Sequence, residues 1–479
     1  MTPMTAVAIG LESAREEVSR YAWREAFGLF AAADADEPLG PDDLDQMAEC
    51  AWWIGKMRHC IALRERAHAA YLKAGDVRRA AAVAIELAVH HGDLGEVSDA
   101  TAWIQKATRM LEGEPEGAEH GWLKMAMALL QRGQGDLRGA MDLASAAAEL
   151  GARHGDKDLF ALAHALHGIC LAFTEDPEAG LPMVEEATQG AVAGELGPRA
   201  TGWIYCMMIA VNAQLADWQR AGQWSEAATR WCNRQAINGF PGVCRVHRAE
   251  IMRLRGAFSE AEEEARTATT ELASFNLGFT ALAFRELGEI RVKMGDLDGA
   301  EEALQQASEM GVPPQPGLAL VLVQRGRPEA AARALRRALA DTSLRPLDRA
   351  KLLPAQLDVA LLLGDVGTAR LAATELDTIA NAHSAPALRA TADAGAAAVA
   401  LVDGALEEAE SAADHARTLF DEIDLSYESA QMAVLLGQIH QAQGNSDRAS
   451  AELTAGLTAL EGIGAVPDAN RARKLLQTV

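Results

Sequence analysis

Apolar residues recur at helical spacing along the chain, and short polar breaks separate one apolar segment from the next. This period is typical of amphipathic helices, whereas a strand would show strict alternation, and no strand pattern competes with it. The breaks are Gly-Asp, Gly-Asn or Asp-Gly steps, which suit tight turns between helices. The pattern therefore predicts helices joined by short turns. Clear examples are Gly75-Asp76, Gly135-Asp136, Gly295-Asp296, Gly364-Asp365, Asp403-Gly404 and Gly444-Asn445.

Small residues mark these breaks at a regular interval. A glycine is followed five positions later by an alanine, and the pair recurs about every forty residues. The glycine can adopt the left-handed conformation that ends a helix, and the alanine allows close approach at the start of the next one. A period of this length predicts stacked hairpins, because a single hairpin cannot bury its apolar face. The pairs are Gly135/Ala140, Gly256/Ala261, Gly295/Ala300, Gly326/Ala331, Gly364/Ala369, Gly404/Ala409 and Gly444/Ala449, with Ala216/Ala221 as a variant.

Composition supports an all-α class and narrows the partners. Aromatic residues make up 5% of the 479 residues, and alanine and leucine dominate. The net charge of −24 repels a phosphate backbone, so direct binding to nucleic acid is not expected. No window reaches eighteen apolar residues and no signal peptide pattern opens the chain, so we expect a cytoplasmic protein without a membrane partner. The six cysteines have no CxxC pair and are expected to be free thiols.

A second glycine on some helices connects this pattern to a known family. Gly168, Gly288 and Gly437 each follow two core residues on one helix face, as in Phe284-x2-Leu287-Gly288-x2-Arg291. These residues resemble the tetratricopeptide repeat (TPR), whose first helix carries W-x2-L-G-x2-Y. The resemblance implies a right-handed superhelical solenoid of about 11–12 TPR-like hairpins. The interval of about forty residues exceeds the usual 34, so armadillo or HEAT stacking is the alternative fold.

Longer, variable repeats of this kind are similar to the TPR region of the large LuxR-type (MalT-like) regulators of actinobacteria. Three segments carry that resemblance: 193–206, 244–250 and, most strongly, 427–476 with its Gly462-Ile463-Gly464-Ala465. In that family a DNA-binding helix-turn-helix normally follows and an ATPase module may precede, but the chain stops at Val479 and has no GxxxxGK[ST]. We therefore expect either an excised sensor region or a stand-alone relative.

The repeats divide into regions of different composition. We expect aromatic-rich repeats over 1–240, alanine-rich repeats over 241–464, and a terminal helix over 465–479 that caps the stack or forms a homodimer. Turn residues concentrate at 238–242 and at 311–317, which predicts joints there.

Candidate binding residues come from the repeat register and from the aromatic residues. If the register holds, the inner surface carries Trp122, Met125, Trp203, Cys206, Glu250, Arg253, Arg285 and Glu289. Trp203, Tyr205, Trp218, Trp224 and Trp231 are the candidates for an aromatic pocket, with a bulky core between repeats as the competing interpretation. Both sets place binding over residues 120–290.

Metal and charge clusters carry weaker hypotheses. Two sets contain metal-ligating types, but their spacing favours core packing, and we expect no metal and no cofactor. They are His164, His167 and Cys170, and the set Cys206, Cys232, Cys244 and His247. Basic clusters at 245–255 and 325–351 are either anion sites or solvated faces paired with glutamate. The acidic run 34–49 and the glutamates at 260–264 are expected on helix starts and exposed faces.

No catalytic signature is recognisable, so the leading hypothesis is a non-enzymatic TPR scaffold that binds a protein or peptide partner. Its expected context is the sensor or regulatory part of a LuxR-type transcriptional regulator. A small-molecule receptor with an aromatic pocket in the middle repeats is the alternative, and an enzyme that uses the middle histidines and cysteines is the third hypothesis.

Overall fold

The protein is described by a computed structural model for residues 6–174, 177–234 and 243–479. In these residues there are 26 α-helices and no strand, so the predicted all-α class is confirmed. The first thirteen helices are α1 (Ala6–Ser19), α2 (Trp23–Asp36), α3 (Pro41–Trp53), α4 (Met57–Ala74), α5 (Val77–Asp93), α6 (Val97–Leu111), α7 (Ala118–Gly133), α8 (Leu137–His154), α9 (Lys157–Thr174), α10 (Pro177–Val192), α11 (Pro198–Gln214), α12 (Trp218–Arg234) and α13 (Val243–Leu254). The others are α14 (Phe258–Leu272), α15 (Leu277–Met294), α16 (Leu297–Glu309), α17 (Gly317–Gln324), α18 (Pro328–Leu339), α19 (Pro346–Ala350), α20 (Leu353–Leu362), α21 (Val366–Ala382), α22 (Pro386–Asp403), α23 (Leu406–Glu422), α24 (Ser426–Ala442), α25 (Ser446–Gly462) and α26 (Val466–Leu476).

Helices pack against their neighbours in the sequence, as the prediction of stacked hairpins requires. The pairs α7–α8, α22–α23 and α24–α25 make extensive contact, and α8 also packs on α9, so one hairpin continues into the next. The last helix, α26, lies inside the segment predicted to cap the stack. It buries Ala469 and Ala472 and packs against α25 and α24 of its own chain.

The turns between helices have the chemistry that the glycine and alanine positions predict. All seven glycines of the predicted pairs have φ between 72° and 87°, and all seven partner alanines are 0% exposed. At one such turn the backbone N–H of Asp136 donates to the carbonyl of Gln131 at 3.0 Å, which closes the end of α7. The Asp136 side chain then accepts from the Gly139 N–H at 2.9 Å and caps the start of α8. A Gly-Asp step thus ends one helix and begins the next.

The described helices belong to two compact units whose segments interleave along the chain. Unit 1 comprises Met1–Val211, Gln223–Cys244 and Thr270–Phe279. Unit 2 comprises Asn212–Gly222, Arg245–Thr269 and Thr280–Val479. The boundary predicted after residue 240 lies outside the described residues. Of the two predicted joints, 311–317 lies between α16 and α17, and 238–242 lies outside the described residues.

Unit 1 brings repeats that are far apart in the sequence into contact. The Trp52 ring of α3 lies 5.4 Å from the Phe275 ring, centroid to centroid. The Nδ2 of Asn276 donates to the Asp93 carboxylate at 2.9 Å. The segment 270–279 therefore covers the ends of α3 and α5, although more than 180 residues separate Asp93 from Asn276.

Unit 2 also joins distant repeats. One hydrophobic cluster contains Phe258 and Ala261 of α14, Leu287 of α15, and Leu453 and Leu460 of α25. The ring of Phe258 lies 5.8 Å from that of Tyr427 on α24. In both units, therefore, helices from repeats that are distant in the sequence contact each other. No helix in the described residues is both long and apolar enough to cross a bilayer.

Candidate functional site

A polar groove with a cavity volume of about 600 Å³ lies in unit 1, and we call it the unit 1 groove. Five helices line it: α3, α4, α5, α7 and α11. Its lining residues are Asp42, Asp45, Gln46, Glu49, Arg64, Tyr71, Arg79, Ala82, Val83, Ile85, Glu86, Glu119, Trp122 and Arg199.

Helical spacing explains why these side chains share one groove. Asp42, Asp45 and Glu49 are separated by three and four residues on α3, so they lie on one face of that helix. Arg79 and Glu86 are seven residues apart on α5 and share a face in the same way. The acidic first turn of α3 is also favourable for that helix, because the helix N-terminus carries partial positive charge.

The base of the groove is formed by two arginines and two glutamates in alternating contact, which we call the ion-pair quartet. Its members are Glu49, Arg64, Glu86 and Arg199. Arg64 lies 2.9 Å from Glu49 and 3.2 Å from Glu86. Arg199 lies 2.7 Å from Glu86 and 3.6 Å from Glu49. Each guanidinium therefore contacts both carboxylates, and the four charges cancel.

Burial makes this arrangement electrostatically strong. The Arg64 side chain is 4% exposed, and a buried charge is tolerated only when it is paired. Burial alone would raise the pKa of Glu86, yet Arg199 and Arg64 hold it well below its usual range. Burial alone would lower the pKa of Arg64, but the carboxylates of Glu86 and Asp45 raise it. Glu86 and Arg64 are therefore both charged at neutral pH.

The rim of the groove contains two further ion pairs and one carboxylate with a weaker contact. Asp42 pairs with Arg79 and also accepts a hydrogen bond from the Tyr71 hydroxyl at 2.6 Å. Glu119 pairs with Arg78 at 3.2 Å.

Asp45 is the remaining rim carboxylate. Its Oδ1 lies 3.8 Å from Nη1 of Arg64, beyond hydrogen-bond distance. Within the described residues this Oδ1 has no hydrogen-bond partner.

The predicted site residues of unit 1 have different environments. Trp122 lines the groove, and its indole Nε1 donates to Asp156 at 2.8 Å. Met125, Tyr205 and Cys206 are buried, so their side chains are not on an exposed inner surface and that placement is corrected. Tyr205 is covered because its ring packs 6.2 Å from the ring of Trp224.

The other aromatic candidates also contact protein. Trp231 is buried, with its ring 6.0 Å from that of Tyr205. Trp203 is half-buried, and its ring lies 6.3 Å from the Phe279 ring. Trp218 packs in unit 2 beside Leu254 and Phe420. The contacts of Trp203 and Trp218 join different repeats, whereas those of Tyr205 with Trp224 and Trp231 lie within the α11–α12 hairpin.

The predicted residues from 250 onward belong to unit 2. Arg253 forms an ion pair with Glu286, whose side chain is buried. Glu289 accepts a hydrogen bond from the Gly317 N–H at 3.2 Å. Glu250 and Arg285 are half-buried. The twelve nominated residues are thus divided between two units, seven in unit 1 and five in unit 2.

The basic and acidic clusters of the middle repeats pair with each other. Arg245 and Arg248 both contact Glu264, at 3.1 and 2.8 Å. Glu262 accepts from Arg291 at 2.8 Å. These arginines pair with glutamate across helices rather than at a spacing of four within one helix. Glu262 and Glu264 were expected at helix starts and on exposed faces, but both are half-buried in these pairs.

The metal candidates from the sequence do not form a three-ligand group in the described part of the chain. Nε2 of His164 lies 3.2 Å from Glu186, and Sγ of Cys206 lies 3.8 Å from Sγ of Cys244. The one group there with metal-ligand geometry is His91, Glu96 and Asp99. Arg58 already contacts Glu96 at 2.6 Å, and His91 contacts it at 2.7 Å. Because a cation occupies this carboxylate, the group carries no metal assignment.

Sequence reasoning did not select the residues of the ion-pair quartet. Glu49 belongs to the acidic run that we expected at helix starts and on exposed faces, and Arg199 had no distinguishing pattern. A contact between residues 150 positions apart leaves no local periodicity, so only the tertiary structure identifies it.

The turns, the buried alanines and the packing of consecutive helices together define an all-α protein built from stacked helical hairpins. No protein-family model matches the chain, and no curated protein matches it. The chain is similar to a solved structure described as the APC/C hetero-tetramer Cut9-Hcn1, with 12% identity, a TM-score of 0.40 and coverage of 98% of this chain and 96% of that one. It is similar to yeast Tom70 with 12% identity, a TM-score of 0.34 and the same coverage. Neither similarity assigns a partner or an activity to this chain.

Proposed function

We propose that this chain is a non-enzymatic binding scaffold whose unit 1 groove holds a segment of a partner protein. The observation that carries the proposal is a groove of about 600 Å³ whose polar wall contains the ion-pair quartet. A preorganised wall loses little side-chain entropy when a ligand binds, which favours recognition.

The charge states in the groove support binding rather than catalysis. A general acid or base works best when its pKa lies near the operating pH. The pKa of Glu86 is lowered and that of Arg64 is raised, so both move away from neutral pH. Each group contacts partners of opposite charge. Burial raises the pKa of Asp93 to about 7, but Asp93 is not among the lining residues of the groove.

A small-molecule effector is the second candidate occupant. The groove volume lies within the range of about 300–1,000 Å³ that is common for ligand sites. Partners of this kind would suit either a free-standing scaffold or the sensor part of a LuxR-type regulator, as the sequence resemblance implies.

The groove can be tested by filling it. Ala82 lines the groove on α5, so Ala82→Trp would occupy its volume without changing charge. Ala69→Trp is the matched control, because Ala69 is exposed on α4 and does not line the groove. Both variants and the parent chain would be used to select binders from a phage-displayed random dodecapeptide library.

We expect peptides selected on the parent chain to bind the Ala69→Trp control with equal affinity and to lose at least tenfold in affinity for the Ala82→Trp variant. Equal binding to all three proteins would contradict the proposed site. Binding of small metabolites with the same dependence, without any selected peptide, would favour the second candidate. Thermal melts of the three proteins establish that both tryptophan variants remain folded.

The regulatory context has its own test. In the source organism, the Ala82→Trp variant should change the same transcripts as a deletion of the gene. A transcript profile identical to that of the parent strain would argue against a regulatory role.

A further inference from the structure

We propose that Asp45 binds the cationic group of a lysine or arginine side chain on the partner segment. This inference rests on the proposed function of the unit 1 groove and specifies the chemistry of its ligand. Asp45 is the groove carboxylate that the protein's own cations contact least closely.

The charges that line the groove leave an excess of carboxylates. Five carboxylates and three guanidiniums belong to the lining. Two of each form the neutral quartet, Arg79 neutralises Asp42, and Arg78 at the margin neutralises Glu119. After these pairings Asp45 remains, with only a long contact to an arginine that already holds two other carboxylates.

Asp45 can be reached by a ligand. Its side chain is 39% exposed, and because its Oδ1 is buried, the oxygen that a ligand can reach is Oδ2. An ammonium or guanidinium group in the groove would donate a charge-assisted hydrogen bond to this oxygen. The groove therefore offers a carboxylate acceptor together with room for the chain that carries the donor.

Other features of the groove fit a long basic side chain. The Trp122 ring and Val83 supply apolar surface against which the methylene stem of lysine or arginine can pack. An acidic ligand would meet five carboxylates and would find every lining guanidinium already paired. The net charge of −24 also raises the local concentration of cations around the protein.

The test uses two charge-neutralising variants of the full chain. Asp45→Asn keeps the shape of the side chain and removes its charge. Glu65→Gln is the control, because Glu65 is exposed on α4 and does not line the groove. The ligand is a lysine- or arginine-containing peptide from the groove-dependent selection, compared with its glutamine-substituted analogue.

We expect Asp45→Asn to weaken the basic peptide about tenfold and to leave the glutamine analogue unchanged, whereas Glu65→Gln should change neither. The affinity of the basic peptide for the parent chain should also fall with added salt. Loss of affinity for both peptides in equal measure would overturn the proposal, because it would show that Asp45 acts on the shape of the groove and not on charge.

The failure of this inference can be distinguished from failure of the proposed function. Peptides that depend on the groove but lack an excess of lysine or arginine would overturn the assignment of Asp45 and leave the groove as a binding site. The absence of any groove-dependent peptide would overturn both. A free diamine such as 1,5-diaminopentane serves as a competitor, and displacement of the peptide by it supports the cation site. If only the diamine binds in a way that depends on Asp45, the ligand is a small amine and the assignment of a peptide side chain is overturned.

Discussion

The two units place charged side chains in their interiors by different means. In unit 1 the quartet joins α3, α4, α5 and α11 through arginine–glutamate contacts in which each charge has two partners of opposite sign. In unit 2 the Lys293 ammonium lies 3.6 Å from the centroid of the Tyr427 ring, and the Tyr427 hydroxyl donates to Asp468 at 2.8 Å. The same kind of hairpin can therefore stabilise an interior by ion pairs or by a cation–π contact with hydrogen bonds.

This difference has a consequence for binding. In an ion-pair network each side chain is held in place by its partners, which favours a groove wall of fixed geometry. The lysine of unit 2 lies on the face of an aromatic ring that is itself part of the packing against Phe258. We therefore expect the stability of unit 1 to depend more strongly on single charged residues than the stability of unit 2.

The largest expected effect comes from removing an arginine of the quartet. Arg64→Met should lower the free energy of unfolding by about 3–5 kcal/mol, because Glu49 and Glu86 each lose the more deeply buried of their two arginine partners. Arg66→Met on the same helix is the control. Arg66 forms a bidentate pair with Asp34 at 2.7 Å, but its side chain is 46% exposed, so the loss of this pair should cost about 0–1 kcal/mol. Chemical denaturation measures both. Equal losses would show that the quartet has no special role.

The close approach of helices gives the next contrast. A Cβ on Gly168 would lie 2.7 Å from the carbonyl oxygen of Gly180, a backbone atom that cannot move alone. A Cβ on Gly437 would lie 2.6 Å from Cγ of Leu453, a side chain that can change rotamer. We expect Gly168→Ala in unit 1 to destabilise by about 2–3 kcal/mol and Gly437→Ala in unit 2 by about 1 kcal/mol. The reverse order in thermal melts would contradict this account.

Asp93 gives unit 1 a pH dependence. Burial raises its pKa to about 7, with Arg199 opposing and Glu86 adding to the shift, while Asn276 donates a hydrogen bond to it. Because the folded pKa lies above the unfolded value of about 3.9, the contribution of Asp93 to stability is lost as the pH rises from about 4 to about 7. The free energy of unfolding of Asp93→Asn should equal that of the parent chain near pH 4 and exceed it by about 1–2 kcal/mol above pH 7. A pH-independent difference in melting curves would count against this assignment.

His247 gives unit 2 the opposite dependence. Burial lowers its pKa to about 4, and Glu286 opposes that shift. Because the folded pKa lies below the unfolded value of about 6.5, stability is lost as the pH falls from about 6.5 to about 4. Between pH 7.5 and pH 5, the free energy of unfolding of His247→Gln should therefore fall by about 1 kcal/mol less than that of the parent chain. Denaturant titrations at both pH values measure this, and a larger loss in the variant would show that another group governs the transition.

The local features of the fold could be predicted because they depend on neighbouring residues. A glycine that ends a helix and an alanine five positions later reflect one turn, and the structure confirms both at all seven predicted pairs. The same signal exists at further turns, such as Gly75 with Ala80 and Gly95 with Ala100, which the forty-residue interval passed over.

The candidate site could be predicted only in part. Trp122 was nominated by the repeat register and lines the groove, whereas Met125 was nominated by the same register and is buried. The register identifies one side of a helix, but distant repeats of the same unit decide which positions on that side remain accessible. Segment 270–279 of unit 1 makes one such contact, and no periodicity in the sequence near α3 or α5 predicts it.

The sequence by itself determined the helices, their turns and their close packing, because glycine, alanine and the apolar period act within about one hairpin. The tertiary structure decided which charges meet, because Glu49, Arg64 and Glu86 come together with Arg199 from another repeat. Electrostatic attraction depends on distance in space and on burial, and neither is a property of sequence spacing. That is why an acidic run that predicts an exposed helix start contributes the base and the rim of a groove in the folded protein.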